Sequence, residues 1–515
     1  MASETPAMPG LLDLPNEVLL QIIGNTNVED IESFSSCNKR IRSLFEPALQ
    51  LHMKRKIKYS KTELGCSQTQ INPHAVTLLR DVLESPAIAL YPRNVVIGEC
   101  VDVLDTYWPG WFPGRSQAAI LEIKDAIARS TELLSAHLDA CPYIRTSDKQ
   151  RWKREICEGK ERTSVIFLIM LFPNLESITI FGASYCMSEA VENIAAAQQK
   201  YPESTHPLQY LTTVRLEQSS QPSGVWFDYL EPFTSLKSVR LLAGKLVQGL
   251  YTDYSIMDVD DDSDEDSSEN EDADNDELEE EEDHKEDNDD VEKDAQIEEG
   301  YKHKIVESGG GITRLSFRDS AIDASKFNKV LRGTKALQIF EYNFSADISF
   351  SSSIEWQPAL ILQYLLLYAS HSLVSLDLTG MKGCSWNVCG SEDRPYTETP
   401  RHFQVLKQLC VQDGIFIRGK GRIGSPQSAT KPWWSITKIY EMADVLPASL
   451  EQLTLFPSFD HRDQISDAFR DFPELKEHKL PRLKEIKLGG GLQLDESMKL
   501  ACEKVGTSVV EFSQE

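Results

Sequence analysis

The sequence has no apolar run long enough to cross a bilayer. Its longest, around residues 165–173 and 361–369, reach about half the length a spanning helix needs. The opening residues, MASETPAMPG, have neither a basic region nor an apolar stretch, so no secretory signal is expected. The ten cysteines are scattered over 515 residues. Cys384 and Cys389 are the closest pair, and no second pair or histidine set completes a zinc site. Reduced thiols in an intracellular protein, cytoplasmic and/or nuclear, are the expectation. H-E-x-x-H and G-x-S-x-G are both absent. One G-x-G-x-x-G match, GKGRIG at 419–424, is followed by SPQSATKP. Pro426 and Pro432 argue against the helix start that a phosphate cradle requires, so a flexible loop is expected there. No catalytic residue, metal ligand or cofactor site is expected, and no basic surface interleaved with aromatics points to nucleic acid. A membrane partner is not expected either. WPGWF at 108–112 reads as a loop pinned by its aromatics, and Trp433 and Trp434 read as helix-burying.

Positive charge is scarce overall, but the imbalance is local. The formal net charge is −28, and residues 258–299, with 26 acidic residues against two lysines, carry −24 of it. The remainder carries an ordinary −4. Almost nothing in that run can be buried, so 253–302 is expected to be a disordered acidic insert. Ser263 and Ser268 are followed there by acidic residues, a context that suits acidophilic kinases.

Organisation begins close to the N-terminus. After a leader at 1–10, residues 11–47 read LLDLPNEVLLQIIGNTNVEDIESFSSCNKRIRSLFEP. Pro15 suits a helix start, and Glu17 meets the positive end of the helix dipole. Val18, Leu19, Ile22 and Ile23 form a stripe at helical spacing, which Gly24 and Asn25 end. A second stripe runs through Val28, Ile31 and Phe34. A third runs through Ile41, Leu44 and Phe45, with Pro47 closing it. A unit of about 40 residues is near the limit of independent stability, so leftover apolar surface calls for a partner.

This stretch resembles an F-box. Leu14, Pro15, Glu17, Val18, Leu19, Ile22, Asp30, Ile31, Cys37 and Lys39 stand at the positions that carry the pattern. Ile31 replaces the usual Leu, and Arg40 and Ile41 stand where an aromatic is common. The resemblance implies docking on the Skp subunit of a Skp–cullin–F-box ubiquitin ligase. The residues expected at or supporting that interface are Leu14, Pro15, Glu17, Val18, Leu19, Ile22, Ile31, Cys37 and Lys39.

Residues 51–90 read as a helical linker. Lys54, Arg55, Lys56, Lys58 and Lys61 there form either a nuclear address or a solvated helix face, and AVTLLRDVL from Ala75 reads as a helix ending before Pro86. Beyond it a short pattern recurs, with apolar residues at relative positions 1, 4 and 6. The segments start at Leu175, Leu211, Leu236, Ile312, Leu337, Leu373, Leu406, Leu450 and Leu483. Related strands are expected at 94–98 and at SVVEF near the end. Starts are 25 to 44 residues apart except for one interval of 76, which holds the 42-residue acidic run. Helices are expected at 161–171, 359–369, 433–445 and 463–470. Units that cannot bury an apolar face alone must stack. The pattern resembles leucine-rich repeats, without their Asn ladder. The expected fold class is therefore α/β: a three-helix F-box at 11–50, then an irregular leucine-rich-repeat-like solenoid over 91–515, interrupted by the acidic insert.

Alternate positions of such strands face outward. That puts Arg215, Arg240, Arg314 and Arg318 on a candidate ligand patch beside the point where the acidic run enters. Two readings stay open. The run competes with an acidic or phosphorylated ligand for the patch, or Glu217 and Glu341 neutralise it locally. The whole is similar to fungal-type F-box/leucine-rich-repeat substrate adaptors, which implies a non-catalytic chain with a Skp subunit, a cullin scaffold and an unidentified substrate protein as partners. The rival classes are a Skp-binding scaffold outside any ligase, and an acidic nuclear protein that binds basic partners.

Overall fold

The structure is a computed structural model. It describes residues 10–64, 75–98, 117–181, 187–200, 206–217, 230–245, 311–345, 356–380, 400–421, 434–457 and 465–513. Residues 1–9 of the leader, the acidic run with Ser263 and Ser268, WPGWF, Cys384, Cys389, Trp433 and the second half of GKGRIG lie outside the described residues.

Three helices open the chain: α1 (Asn16–Gly24), α2 (Ile31–Ser36) and α3 (Lys39–Tyr59). Pro47 does not close the third helix, which continues through it to Tyr59. A helix-interior proline forfeits one backbone hydrogen bond and costs roughly 3 kcal/mol. Burial of Ile41, Phe45, His52 and Tyr59 on either side of Pro47 offsets that cost. One residue later the chain enters β1 (Lys61–Leu64), a strand within the stretch read as a helical linker. Its alternating burial, with Thr62 and Leu64 inward, places it in the sheet.

The strands after β1 are β2 (Asn94–Ile97), β3 (Ser177–Phe181), β4 (Thr213–Glu217), β5 (Leu241–Lys245), β6 (Arg314–Ser320), β7 (Ile339–Phe344), β8 (Ser375–Gly380) and β9 (Gln408–Gln412). Then come β10 (Ile417–Gly421), β11 (Trp434–Ile439), β12 (Gln452–Phe456), β13 (Glu485–Leu488) and β14 (Ser508–Glu511). Twelve of them form one parallel sheet in chain order, β9 pairing directly with β12. The antiparallel hairpin β10–β11 stands apart. Residues 434–439 are thus strand where helix was expected, with only Met442–Val445 helical after them. GKGRIG begins inside β10 rather than after a strand.

Eight of the nine recurring segments have the burial their pattern predicts. Leu450, Leu453 and Leu455, for example, are wholly buried. The third differs. Leu236 is buried, but the strand pairs Val214 with Leu242 and Leu216 with Gly244, three residues later than the pattern placed it. Leu242, which stands two residues beyond Arg240 and so faces outward in the pattern's register, is wholly buried, and Arg240 precedes the strand.

The ladder is anchored at the N-terminal end of each strand. There one carbonyl accepts two successive N–H groups from the next unit. Arg93 O accepts from Glu176 N (2.8 Å) and Ser177 N (3.0 Å), and Thr212 O accepts from Arg240 N (2.9 Å) and Leu241 N (3.0 Å). The arrangement repeats at Glu176, Arg240, Thr313, Gln338, Val374, Lys407 and Glu451. These bonds satisfy backbone groups that would otherwise be orphaned. Behind the sheet the helices follow the same order. Glu161–Leu171, Met187–Lys200, Glu231–Thr234, Ala324–Arg332 and Pro358–Ala369 each pack on the next. The core lies between the two layers and runs continuously from Tyr59 to Cys502.

Candidate partner-binding site

The N-terminal helices enclose a small apolar cluster. Ile23, Ile41 and Phe45 are buried in it, and Ile31, Phe34, Leu44 and Ala48 pack against it. Phe34 meets Phe45 edge to face, with ring centroids 5.3 Å apart. Pro15 caps α1, and its carbonyl accepts from Leu19 N (3.1 Å). At the other end Thr26 Oγ1 donates to Ile22 O (2.8 Å). Asn38 starts α3 by accepting from Arg40 N at 2.8 Å, as an N-cap side chain does.

So small a cluster leaves apolar side chains in water. Val18 is 37% exposed, Leu11 42%, Leu12 44% and Leu20 49%. Pro15, Glu17, Cys37 and Lys39 are exposed as well, while Leu14, Ile22 and Ile31 are half-buried. Leu19, at 1% exposure, belongs to the interior and supports this face from within. Leu11, Leu12 and Leu20 were absent from the residues expected at the interface. LLDL at the start of the unit was the available signal for the first two.

The basic residues that follow are engaged locally. Lys56 pairs with Glu32, Arg55 donates to Ser85 Oγ (3.0 Å), and Lys58 lies 3.7 Å from Asp81. Buried His52 joins two elements, with Nε2 3.0 Å from Glu32 Oε1 and Nδ1 3.2 Å from Tyr91 Oη. The bonds from Lys56 and then His52 hold the Glu32 carboxyl below the usual range. Arg93 meets Glu29 at 2.9 Å and also pairs with Glu176.

Residues 11–46 match the F-box domain family. No curated protein matches the chain. The chain thus carries an F-box, a domain that in general binds the Skp subunit and serves as an adaptor in Skp–cullin–F-box ubiquitin ligases. Among the described residues no helix is long and apolar enough to cross a membrane, and no group of three or more His, Cys, Asp or Glu is placed to hold a metal.

The four arginines of the candidate patch are not equivalent. Arg314 and Arg318 converge on Glu341, at 2.8 and 3.5 Å, and Ser316 Oγ donates to the same carboxylate at 2.6 Å. Arg215 is exposed in the same register row as Ser316 and Glu341, two strands before Ser316, its neighbour on β5 being Ala243. Arg240, displaced by the register shift, donates to Lys237 O (2.7 Å) and Gly311 O (2.8 Å). The row continues through Asp377 and Cys410. Burial opposes ionisation of Glu341, but its bonds to Ser316 and Arg314 outweigh that and hold its carboxyl low. Asp377 lies the other way, raised by burial and by the charge of Glu341. Burial and Asp377 together push the Cys410 thiol up.

Proposed function

We propose that the chain is the substrate-recognition adaptor of a Skp–cullin–F-box ubiquitin ligase. Its F-box docks on the Skp subunit through the face built by Leu14, Pro15, Glu17, Val18, Ile22, Ile31, Cys37 and Lys39, with Leu19 behind it and Leu11, Leu12 and Leu20 beside it. The parallel sheet with its helical backing acts as an irregular leucine-rich-repeat-like solenoid that holds a substrate protein. The open sheet face around Arg215, Arg314 and Arg318 serves as the ligand patch, with Arg240 at its margin. The chain supplies no catalytic group. It raises the effective concentration of a substrate lysine at the ubiquitin-charged enzyme.

The observation that carries this reading is the F-box match at 11–46 together with the apolar side chains its helices leave exposed. The test uses the full chain with purified Skp subunit and cullin. Wild type is expected to bind both in one complex, and Leu14→Ala with Pro15→Ala is expected to abolish binding while the melting temperature holds. Full binding by that double variant overturns the docking surface. Skp binding without cullin recruitment would favour a scaffold outside any ligase.

A further inference from the structure

The geometry points to Arg40 as a positioning residue for the Skp-binding face, an inference that rests on the adaptor reading above. The first apolar side chains of that face sit on a short 3-10 turn, Leu11–Asp13, which contains no buried residue. Its own hydrogen bonds are local. Asp13 N donates to Gly10 O (2.9 Å), Gly10 N to Asp13 Oδ2 (2.9 Å) and Leu14 N to Leu11 O (3.4 Å). None of these ties the turn to the helices.

Arg40 does. From the first turn of α3 its Nη1 donates to Leu12 O (2.6 Å) and its Nη2 to Leu14 O (3.0 Å). Nη2 and Nε also reach Asn16 Oδ1, at 2.7 and 3.2 Å. One planar guanidinium therefore grips the turn, the residue before Pro15 and the first residue of α1. A guanidinium offers several donors in a fixed fork, and a lysine ammonium does not. The grip spans 24 to 28 residues of sequence and fixes where Leu11, Leu12, Leu14 and Pro15 stand relative to α3. A face ordered before binding does not lose that conformational freedom when the partner arrives. Arg40 thus contributes affinity without touching the Skp subunit.

The test compares full-length wild type, Arg40→Ala and Asn16→Ala by calorimetric titration with purified Skp subunit and by amide hydrogen exchange of the free proteins. Arg40→Ala is expected to bind about tenfold more weakly, the loss appearing as a less favourable entropy of binding. Exchange over residues 10–16 should rise while that of the rest of α3 stays as in wild type. Asn16→Ala keeps the guanidinium and removes one of its partners, so it should give a smaller change of the same kind. It carries the test should Arg40→Ala fail to fold. Wild-type affinity in both variants overturns the inference. So does weakened binding with unchanged exchange at 10–16, which would make Arg40 a direct contact. Failure of wild type itself to bind overturns the adaptor reading beneath.

Discussion

Asp377 and Glu341 are neighbours in register on the open face of the sheet, yet their carboxyls lean in opposite directions. Glu341 is paired with Arg314 and Arg318, so its ionised form stabilises the fold at neutral pH. That contribution is lost as pH falls through its lowered value. Asp377 is half-buried and feels the charge of Glu341. Its ionised form is supported first by the Cys410 side chain and then by Thr379 Oγ1, which donates at 3.3 Å and itself accepts from Asn343 Nδ2 at 3.0 Å, but burial outweighs both. A raised carboxyl means that the folded protein holds this proton more tightly than the unfolded chain. Stability from this group is therefore full at low pH and falls as pH rises through the window above the ordinary carboxylate range. Asp377→Asn keeps an acceptor for Thr379 and removes the charge. It is expected to raise stability at pH 7 by about 1 kcal/mol, with the gain vanishing below about pH 4, where the aspartate is neutral in both states. Thermal unfolding at both pH values checks this. A variant that melts below wild type at pH 7 would show the ionised aspartate to be stabilising.

At the scale of the element, Gly244 explains why one strand hides in the sequence. A Cβ there would stand 2.6 Å from the backbone oxygen of Leu216 on the neighbouring strand, so no larger residue fits without moving the ladder. Gly244→Ala is expected to cost about 1–3 kcal/mol by overpacking, read as a lowered denaturation midpoint. An unchanged midpoint would mean that β5 moves freely in its register. The same glycine removes the third apolar mark from its repeat. Leu236, Val239 and Leu241 then offer a second match three residues earlier, and periodicity alone cannot choose between them. The other eight segments were legible because each keeps a large side chain at all three inward positions. The F-box was legible because its helix boundaries and apolar stripes agree. Pro47 misled, since a proline inside a helix is costly in isolation but tolerable where both flanks are buried. WSITKI at 434–439 misled in the opposite sense. Its β-branched residues and alternation suit a strand, and the helical segment that follows is only four residues long.

At the scale of the molecule, the question is what stabilises a unit as small as the F-box. Its own cluster has three buried members, too few for independent stability by the usual relation of size to buried surface. The support comes from α3, which leads within one residue into β1 and so into the twelve-stranded ladder. Two polar ties reinforce it. Glu32 on α2 meets buried His52 and Lys56 of α3, with Tyr91 on the far side of the histidine. Glu29 meets Arg93, whose carbonyl takes part in the ladder. Removing the Glu32 carboxylate leaves a buried imidazole nitrogen without its acceptor, and that should loosen α2 against α3. Glu32→Ala in the full chain is accordingly expected to raise amide exchange across residues 16–59 by about tenfold, which corresponds to about 1.4 kcal/mol of lost protection. β7, β8 and β9 should exchange as before. The distinction matters because a uniform rise would report global destabilisation, whereas a local one shows that the F-box depends on the sheet through this joint. Wild-type exchange at 16–59 in the variant would mean that the small cluster holds the helices unaided.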